Sequence, residues 1–315
     1  WNHCVFTSSG STKSLYFNGV HLIDYTLADG PSTSLDEVYF ASYNSWSPYL
    51  SGGIDEVSIW SRTLSQEEIQ QRYEDMTTIL IHNVTELQAM SNDLSARYAL
   101  ANDIDASATA GWNGGAGFIP IGSIATPFSG SLDGQGHVIT GLHMNRPSTG
   151  FAGLFGVIEF PSTVQNVNLK DVDMIGNDFF GALVGYNNGG TVSYSSSSGM
   201  IAGADIVGGL VGYNSAGAGI GAVSQSQSSA SVIGTGNSIG GLVGYMDYLS
   251  SVTESCATGN VNGNNEVGGL VGENCQGTID ESYSTGAVSG NNNVGGLLGH
   301  IINSESSVLD SYSTG

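Results

Sequence analysis

Two pairs of carboxylates, Asp171 with Asp173 and Asp280 with Glu281, have the types and spacing that could do hydrolytic chemistry in this chain of 315 residues. Cleaving a glycosidic bond takes one carboxylic acid and one carboxylate held about 5 to 10 Å apart. Neither pair suffices by itself. Adjacent residues on a strand face opposite ways, and acids two apart occur freely in an acidic chain, so all four are read as solvated surface. A lyase fails on inventory, because abstracting a proton beside a uronic acid carboxylate usually employs Lys or Arg and a cation. The only basic residues are Lys13, Arg62, Arg72, Arg97, Arg146 and Lys170, and none follows Asp171. His137 and His143 flank a strand with no nucleophile motif nearby and are read as surface or packing residues. The oxygen-rich run Asn102-Asp103-Ile104-Asp105 is read as a turn stabilised by Asx hydrogen bonds in preference to a cation site. No catalytic residue is assigned, and the expectation is a non-enzyme.

Aromatic side chains are the better candidates for ligand contact. Tyr43, Trp46 and Tyr49 lie in a Ser/Pro-rich loop where an exposed ring could stack on a sugar, while Trp60, beside Ile59, reads as core. Tyr186, Tyr213 and Tyr245 each follow a copy of one repeated phrase, as do Val157, Glu273 and His300, and the next column includes Asn187, Asn214 and Asn274. Two readings stand for the tyrosines: a stripe that packs against sugar rings, or identical residues stacking on successive coils to stabilise the ladder, and the second is preferred.

The element that would position these columns is the phrase itself: FAGLFG, FGALVG, VGGLVG, IGGLVG, VGGLVG and VGGLLG, ending at Gly156, Gly185, Gly212, Gly244, Gly272 and Gly299. Separations of 29, 27, 32, 28 and 27 residues are those of supersecondary units that must stack to bury their apolar faces. A polar segment led by a branched residue follows (VSYSSSSG from Val192, VTESCATG from Val252, IDESYSTG from Ile279), and then a short Val/Ile-Gly element such as Val261 to Gly263. Nothing has helical period, and Gly, Ser and Asn sit where the chain must turn. The expected architecture is all-β: a parallel β-helix with three short strands per coil of about 27 residues. The loop after each phrase varies most in length, the longest being Ser215 to Ala222, and such loops often carry function. The phrase is apolar in both alternating columns, Leu154 to Leu297 and Phe155 to Leu298. Either a corner turns both columns inward or something covers the outer one.

Residues 1–75 read differently. Alternation through Cys4 to Phe6 and Ser14 to Phe17, the hairpin signal Asn18-Gly19, and a strand at Glu37 to Ala41 indicate antiparallel β structure. Ser65-Gln66-Glu67-Glu68 is a capping box for a helix to about Glu74, and Thr85-Glu86-Leu87-Gln88 predicts another to about Leu94. Three regions result: 1–75, a lead-in with the first coils at 76–150, and the repeats at 151–315.

The VGGLVG phrase with its trailing SYSTG, preceded by YALANDID at Tyr98, FIPIG at Phe118 and PFSGSLDGQGHVITGL at Pro127, resembles the GLUG-type repeat of bacterial surface proteins over residues 79 to 315. That resemblance implies an extracellular β-solenoid of adhesins, secreted proteases or cell-wall polypeptides, with no enzymatic role in the repeat. GGIDEVSIWSRTLSQEEIQQRY, from Gly52 to Tyr73, resembles the C-terminal signature of laminin-G-like, concanavalin-type jelly rolls, and Trp1, His3 and LYFNG at Leu15 match an earlier phrase of that family. Asp55 then falls where many such domains help hold a structural calcium through oxygen ligands, capping of a turn being the alternative. About half the residues of a full jelly roll are present, and the absence of an initiator Met and of a closing cap points to a piece of a longer polypeptide.

Composition fits an extracellular place. Twenty-eight acids against six bases give a net charge of −22, which repels nucleic acid and anionic membranes and welcomes divalent cations. No run of 18 apolar residues is present, so no membrane span is expected. Cys4, Cys256 and Cys275 show no disulfide framework and are read as free, a Cys256 to Cys275 bridge being the alternative. The functional expectation is a non-enzymatic surface or secreted fragment acting in adhesion or glycan contact, with the solenoid as stalk, glycans or other surface proteins as partners, and calcium as the one cofactor considered. A filament or surface-layer subunit that self-associates, and an accessory region of a larger carbohydrate-active enzyme or protease, are the two alternatives.

Overall fold

The computed structural model describes residues 3–9, 12–26 and 62–315, in two compact units, Trp1–Thr77 and Thr78–Gly315. In the first unit, β1 (Cys4–Ser9), β2 (Thr12–Phe17) and β3 (Val20–Thr26) form an antiparallel meander. Asn18 and Gly19 join β2 to β3 with φ of 49° and 77°, the two-residue turn whose twist matches its flanking strands. Helix α1 (Gln66–Thr77) opens on the expected box. Ser65 Oγ accepts from the Glu68 amide at 3.2 Å, and Glu68 Oε2 accepts from the Ser65 amide at 2.9 Å. Val5, Leu64 and Ile69, with Tyr16 against them, make a small core, while Phe6, Val20, Leu22 and Ile23 stay more than half exposed. The expected strand at Glu37 to Ala41, and with it Tyr43, Trp46, Tyr49, Asp55 and Trp60, lies outside the described residues.

The second unit is a parallel β-solenoid. Its strands pair with their counterparts one coil away, giving sheets of six, nine, twelve and five strands. Val184, Val211, Val243, Val271 and Leu298 stand in one register column, and Val164, Val192, Val223, Val252, Ile279 and Val308 in another. One coil runs through Val207–Gly208, Val211–Ser215, Ala222–Ser224, Gln227–Ser228 and Ser231–Gly234. The three segments read from the sequence thus hold five short strands, because the phrase and the polar segment each bend once.

Those bends explain the composition of the repeat. Leu210, Leu242 and Leu270, like Val211, Val243 and Val271 beside them, have no exposed surface. The phrase turns a corner between the two columns, so both point inward. A Cβ on Gly208 would strike the Val211 carbonyl and the Gly244 amide, and one on Gly209 would strike the Gly241 carbonyl and Ser228 Oγ. The Gly-Gly pair is therefore fixed by close approach of backbone on one side and a serine from across the core on the other. The opposite corner uses serine. Ser226 Oγ donates to the Ser224 carbonyl at 2.7 Å and accepts from the Ser195 amide at 3.2 Å, and Ser255 and Ser282 repeat the arrangement one and two coils on. Each buried hydroxyl supplies the bond that the turning backbone forfeits.

At its N-terminal side the core incorporates Leu87 and Met90, from α2 (Val84–Ala89) and the 3₁₀ turn Met90–Asn92 that follows. Here the capping expectation is corrected. Asn83, not Thr85, is the cap, its Oδ1 accepting from the amides of Thr85 (3.1 Å) and Glu86 (3.0 Å), while Glu86 reaches back to the His82 amide at 2.7 Å. Gln88, read as the far partner of that box, instead exchanges two 2.9 Å bonds with the backbone of Ile119. The helix stops at Ala89 and not Leu94. All three cysteines are free, so the bridge between Cys256 and Cys275 is not formed.

Candidate functional site

Register brings the tyrosines together. Tyr186, Tyr213 and Tyr245 occupy one column with Val157 before them and Glu273 and His300 after. Ring centroids lie 4.9 Å apart between Tyr186 and Tyr213 and 5.1 Å between Tyr213 and Tyr245. Phe151 and Phe179, stacked at 4.4 Å, flank them, Phe179 meeting Tyr213 edge-on at 5.7 Å. The rings spend their faces on one another, which is the arrangement that stabilises a ladder. Their hydroxyls are also engaged: Tyr186 donates to Asn188 Oδ1 at 3.1 Å and Tyr213 to Asp247 Oδ2 at 2.7 Å. Burial, then the Asp247 carboxylate, pushes the Tyr213 phenol well above its ordinary range, and burial followed by the Cys275 thiol does the same at Tyr245.

One step along the chain, Asn187, Asn214 and Asn274 are wholly buried. Asn187 Nδ2 donates to Asn214 Oδ1 at 2.8 Å, and Asn214 Nδ2 donates to the carbonyls of Gly221 (2.8 Å) and Ser251 (3.2 Å). These amides close the variable loop from inside and have no capacity left for a ligand. Beyond the tyrosines the column turns polar, with Ser238 Oγ donating to Glu273 Oε2 at 2.6 Å and His300 Nδ1 lying 3.1 Å from Glu273 Oε1. A carboxylate between serine and imidazole cannot relay a proton from one to the other as a nucleophile needs.

The carboxylate pairs do not converge. Asp173 pairs with His143 across one rung at 3.1 Å, whereas Asp171 sits in a bend with φ of 51° and its amide donates to Ser198 Oγ at 3.1 Å. Asp280 ends a short strand, and Glu281 occupies the left-handed corner at φ 46°. His137 faces Asp103 at 3.2 Å, and Asp103 also accepts from the Val138 amide at 3.0 Å. Asp105 accepts from the Ser107 amide at 2.9 Å, the Asx turn expected there. Among the described residues no group of three or more His, Cys, Asp or Glu side chains is placed to hold a metal ion.

A feature not read from the sequence is a shallow groove where the twelve-stranded sheet bends. Its volume is about 320 Å³, and Asn168, Lys170, Ser196, Ser198, Gln227 and Thr258 are among the residues that line it. The bend comes from positive φ at Asp171 (51°) and Gly199 (114°), with a register shift between Leu169 and Val172. The signal was available only through register, since Asn168, Ser196 and Gln227 share no residue type.

Residues 1–70 match the family model described as the concanavalin A-like lectin/glucanases superfamily. Over 114 residues the chain is 43% identical to halomucin of Haloquadratum walsbyi, covering 35% of this chain and 1% of that protein. Over 108 residues it is 39% identical to a protein of Evansella cellulosilytica named as a candidate Gly-rich membrane protein, covering 34% of this chain and 12% of the other. The chain thus spans a small part of the length of these relatives. A crystal structure titled as a candidate immunoglobulin A1 protease from Bacteroides ovatus superposes with a TM-score of 0.64 at 21% identity, covering 76% of this chain and 75% of that one, and it shares the fold. No helix among the described residues is long and apolar enough to cross a membrane.

Proposed function

We propose that this chain is a non-enzymatic element of an extracellular or cell-surface protein, in which the GLUG-like solenoid serves as a stalk and the lectin-like unit makes adhesive contact with glycans. The observation that carries the reading is the unbroken rung-to-rung register of the solenoid, whose polar columns are consumed by bonds to their own neighbours. A structure so occupied with itself suits display more than turnover. The relatives named halomucin and Gly-rich membrane protein, and the lectin-superfamily match, agree with a surface location and with carbohydrate as the contact. Tyr43, Trp46 and Tyr49 are proposed as stacking residues and Asp55 as a ligand of a structural calcium. The carboxylates discussed above are committed to Asx turns, His pairs and corners, which favours a non-catalytic role.

The test is a glycan array probed with the whole chain, with and without calcium. Binding to a defined glycan class, weakened when calcium is removed and again by Trp46→Ala, is the expected result. Silence across plant, algal and host glycans would overturn the glycan reading.

A further inference from the structure

The coil surface is mostly polar, and its exceptions gather on one side. In the coils that have a neighbour both before and after them, residues 151–290, the large apolar side chains that are more than half exposed are Phe160, Tyr194, Ile220, Tyr248 and Leu249. Tyr194 sits by itself at a left-handed corner, whereas the other four all lie in the variable loops that follow the phrase. Single exposed apolar residues are ordinary, but a contiguous group of them marks a place of contact.

Close packing and register make the four a group. The Phe160 amide donates to the Asn188 carbonyl of the next coil at 3.3 Å. One coil further on, a Cβ on Gly189 would strike the Ala216 carbonyl and the Gly219 amide, and a Cβ on Gly219 would strike the Phe160 ring. The excursion between Ser215 and Ala222 therefore folds back across Gly189 onto Phe160, and it can do so because both positions lack a side chain. Ile220 ends that excursion. It precedes Gly221, whose carbonyl accepts from the Ser251 amide at 3.1 Å, so Tyr248 and Leu249 follow on the next rung. From Phe160 to Leu249 the patch spans three rung steps, about 14 Å along the solenoid.

Charge selects the occupant. Glu159 and Asp247 immediately precede Phe160 and Tyr248, and they stand in one column with Asn188 and Ser215 between them. No Lys or Arg lies nearby to offset them: Lys170 lines the groove on the bent sheet, Arg146 is turned to the carbonyls of Gly117 and Phe118, and no base follows Lys170 in the chain. A second copy would bring the same acids and a net charge of −22 against this edge, and an anionic membrane would be repelled in the same way. We infer that the loop face is a docking site for a segment of another protein that carries two or three large apolar side chains bounded by Lys or Arg. The apolar residues seat on Phe160, Ile220, Tyr248 and Leu249, and the cations reach Glu159 and Asp247 at the margin. This surface belongs to the solenoid and does not depend on the glycan reading of the lectin-like unit.

The test is fluorescence anisotropy of three labelled peptides with the whole chain at about 150 mM salt, where exposed charges are screened beyond about 8 Å. The peptides are Lys-Lys-Leu-Trp-Leu-Lys-Lys, its apolar-free counterpart Lys-Lys-Ser-Gly-Ser-Lys-Lys, and its acidic counterpart Glu-Glu-Leu-Trp-Leu-Glu-Glu. The first is expected to bind saturably, the second about tenfold more weakly and the third not at all. Ile220→Ser and Leu249→Ser should each weaken the first peptide about fivefold and Glu159→Gln about threefold, while Tyr194→Ser leaves it unaltered. Amide exchange of the solenoid should be unchanged in Ile220→Ser and Leu249→Ser, because both side chains are more than half exposed. Equal binding of the first two peptides would reduce the attraction to net charge and overturn the site, as would binding that Ile220→Ser and Leu249→Ser leave intact. A dimer in sedimentation that Ile220→Ser dissolves would assign the patch to a second copy and overturn the cationic partner. Glycan-array binding retained by Ile220→Ser is expected throughout, so failure of this site spares the adhesive reading, and loss of array binding by Trp46→Ala spares this one.

Discussion

The meander of the first unit and the coils of the second both use alternating apolar and polar residues, yet they invest them differently. In the meander β1 buries Val5 while Phe6 is 70% exposed, and the described core comprises Val5, Leu64 and Ile69 with Tyr16 against them. In the coils every rung contributes a leucine, a valine and a second branched residue to one continuous interior. Closing the chain on itself removes the unused face that an open sheet leaves to solvent. Stability in the coils is therefore shared between neighbours, and a lesion there should propagate where one in the meander stays local.

The largest effect should come from that shared interior. Leu242→Ala, at a site with no exposed surface, is expected to cost about 3 to 5 kcal/mol by urea denaturation, and Gly208→Ala about 3 kcal/mol through backbone collision. Amide exchange should rise in the coils on either side of each substitution while α1 keeps its wild-type protection. Exchange that rises equally in α1 would break the comparison.

Next comes the asparagine column. Asn214→Ala should cost about 2 to 3 kcal/mol, because it strands the carbonyls of Gly221 and Ser251 and the amide of Asn187. Met246 occupies the same register position one coil on and is fully buried. Asn214→Met restores the volume but none of these bonds and should cost nearly as much as Asn214→Ala in the same denaturation experiment, whereas a substantial recovery by Met would show that the amide only fills space.

A smaller, pH-dependent effect should separate the regions further. Tyr186, Tyr213 and Tyr245 all titrate above the ordinary phenol value, chiefly through burial. A raised folded-state pKa means the unfolded chain gives up its protons first. The contribution to solenoid stability is whole below about pH 10 and falls as pH rises beyond it. Thermal melts from pH 8 to 11.5 should show the decline steepening above pH 10, and Tyr213→Phe should flatten it. An unchanged slope in that variant would contradict the assignment.

The smallest effect belongs to the meander unit. Glu68, hydrogen-bonded first by Arg62 and then by the Ser65 amide, has its carboxyl lowered to about 2. Its contribution is present above the ordinary glutamate value and is lost as pH falls through the folded one, so α1 should loosen between about pH 4.5 and 2. A carboxyl-detected NMR titration of Glu68 with a midpoint near 4.5 would remove the contact.

The parallel winding, the inward double column and the hairpin at Asn18-Gly19 were legible because each rests on spacing or on a turn that few residues allow. The number of strands per coil was not, since the phrase bends between Gly208 and Val211 without any break in its apolar run. The cap at Asn83 was missed in favour of Thr85 because both head a run ending in Glu or Gln three residues on, and only burial of Leu87 and Met90 against the first coil decides between them. Tyr186, Tyr213 and Tyr245 were found as a column, but whether rings face outward or each other depends on Phe151 and Phe179, which sit at left-handed bends outside any strand. The groove was invisible to residue type and appears only when Asn168, Ser196 and Gln227 are laid in register.

The central claim is that successive coils stack one rung apart in a fixed register, and a distance between two corner residues measures it most directly. In a chain carrying Cys4→Ser, Cys256→Ser and Cys275→Ser, spin labels at Tyr194→Cys and Asp310→Cys occupy the same left-handed corner, separated by Gln225, Glu254 and Glu281. Four rung steps predict a single narrow distribution centred at about 19 Å by pulsed electron–electron resonance. A broad distribution, or one centred beyond about 30 Å, would contradict the stacked register and with it the account of how this chain presents its surface.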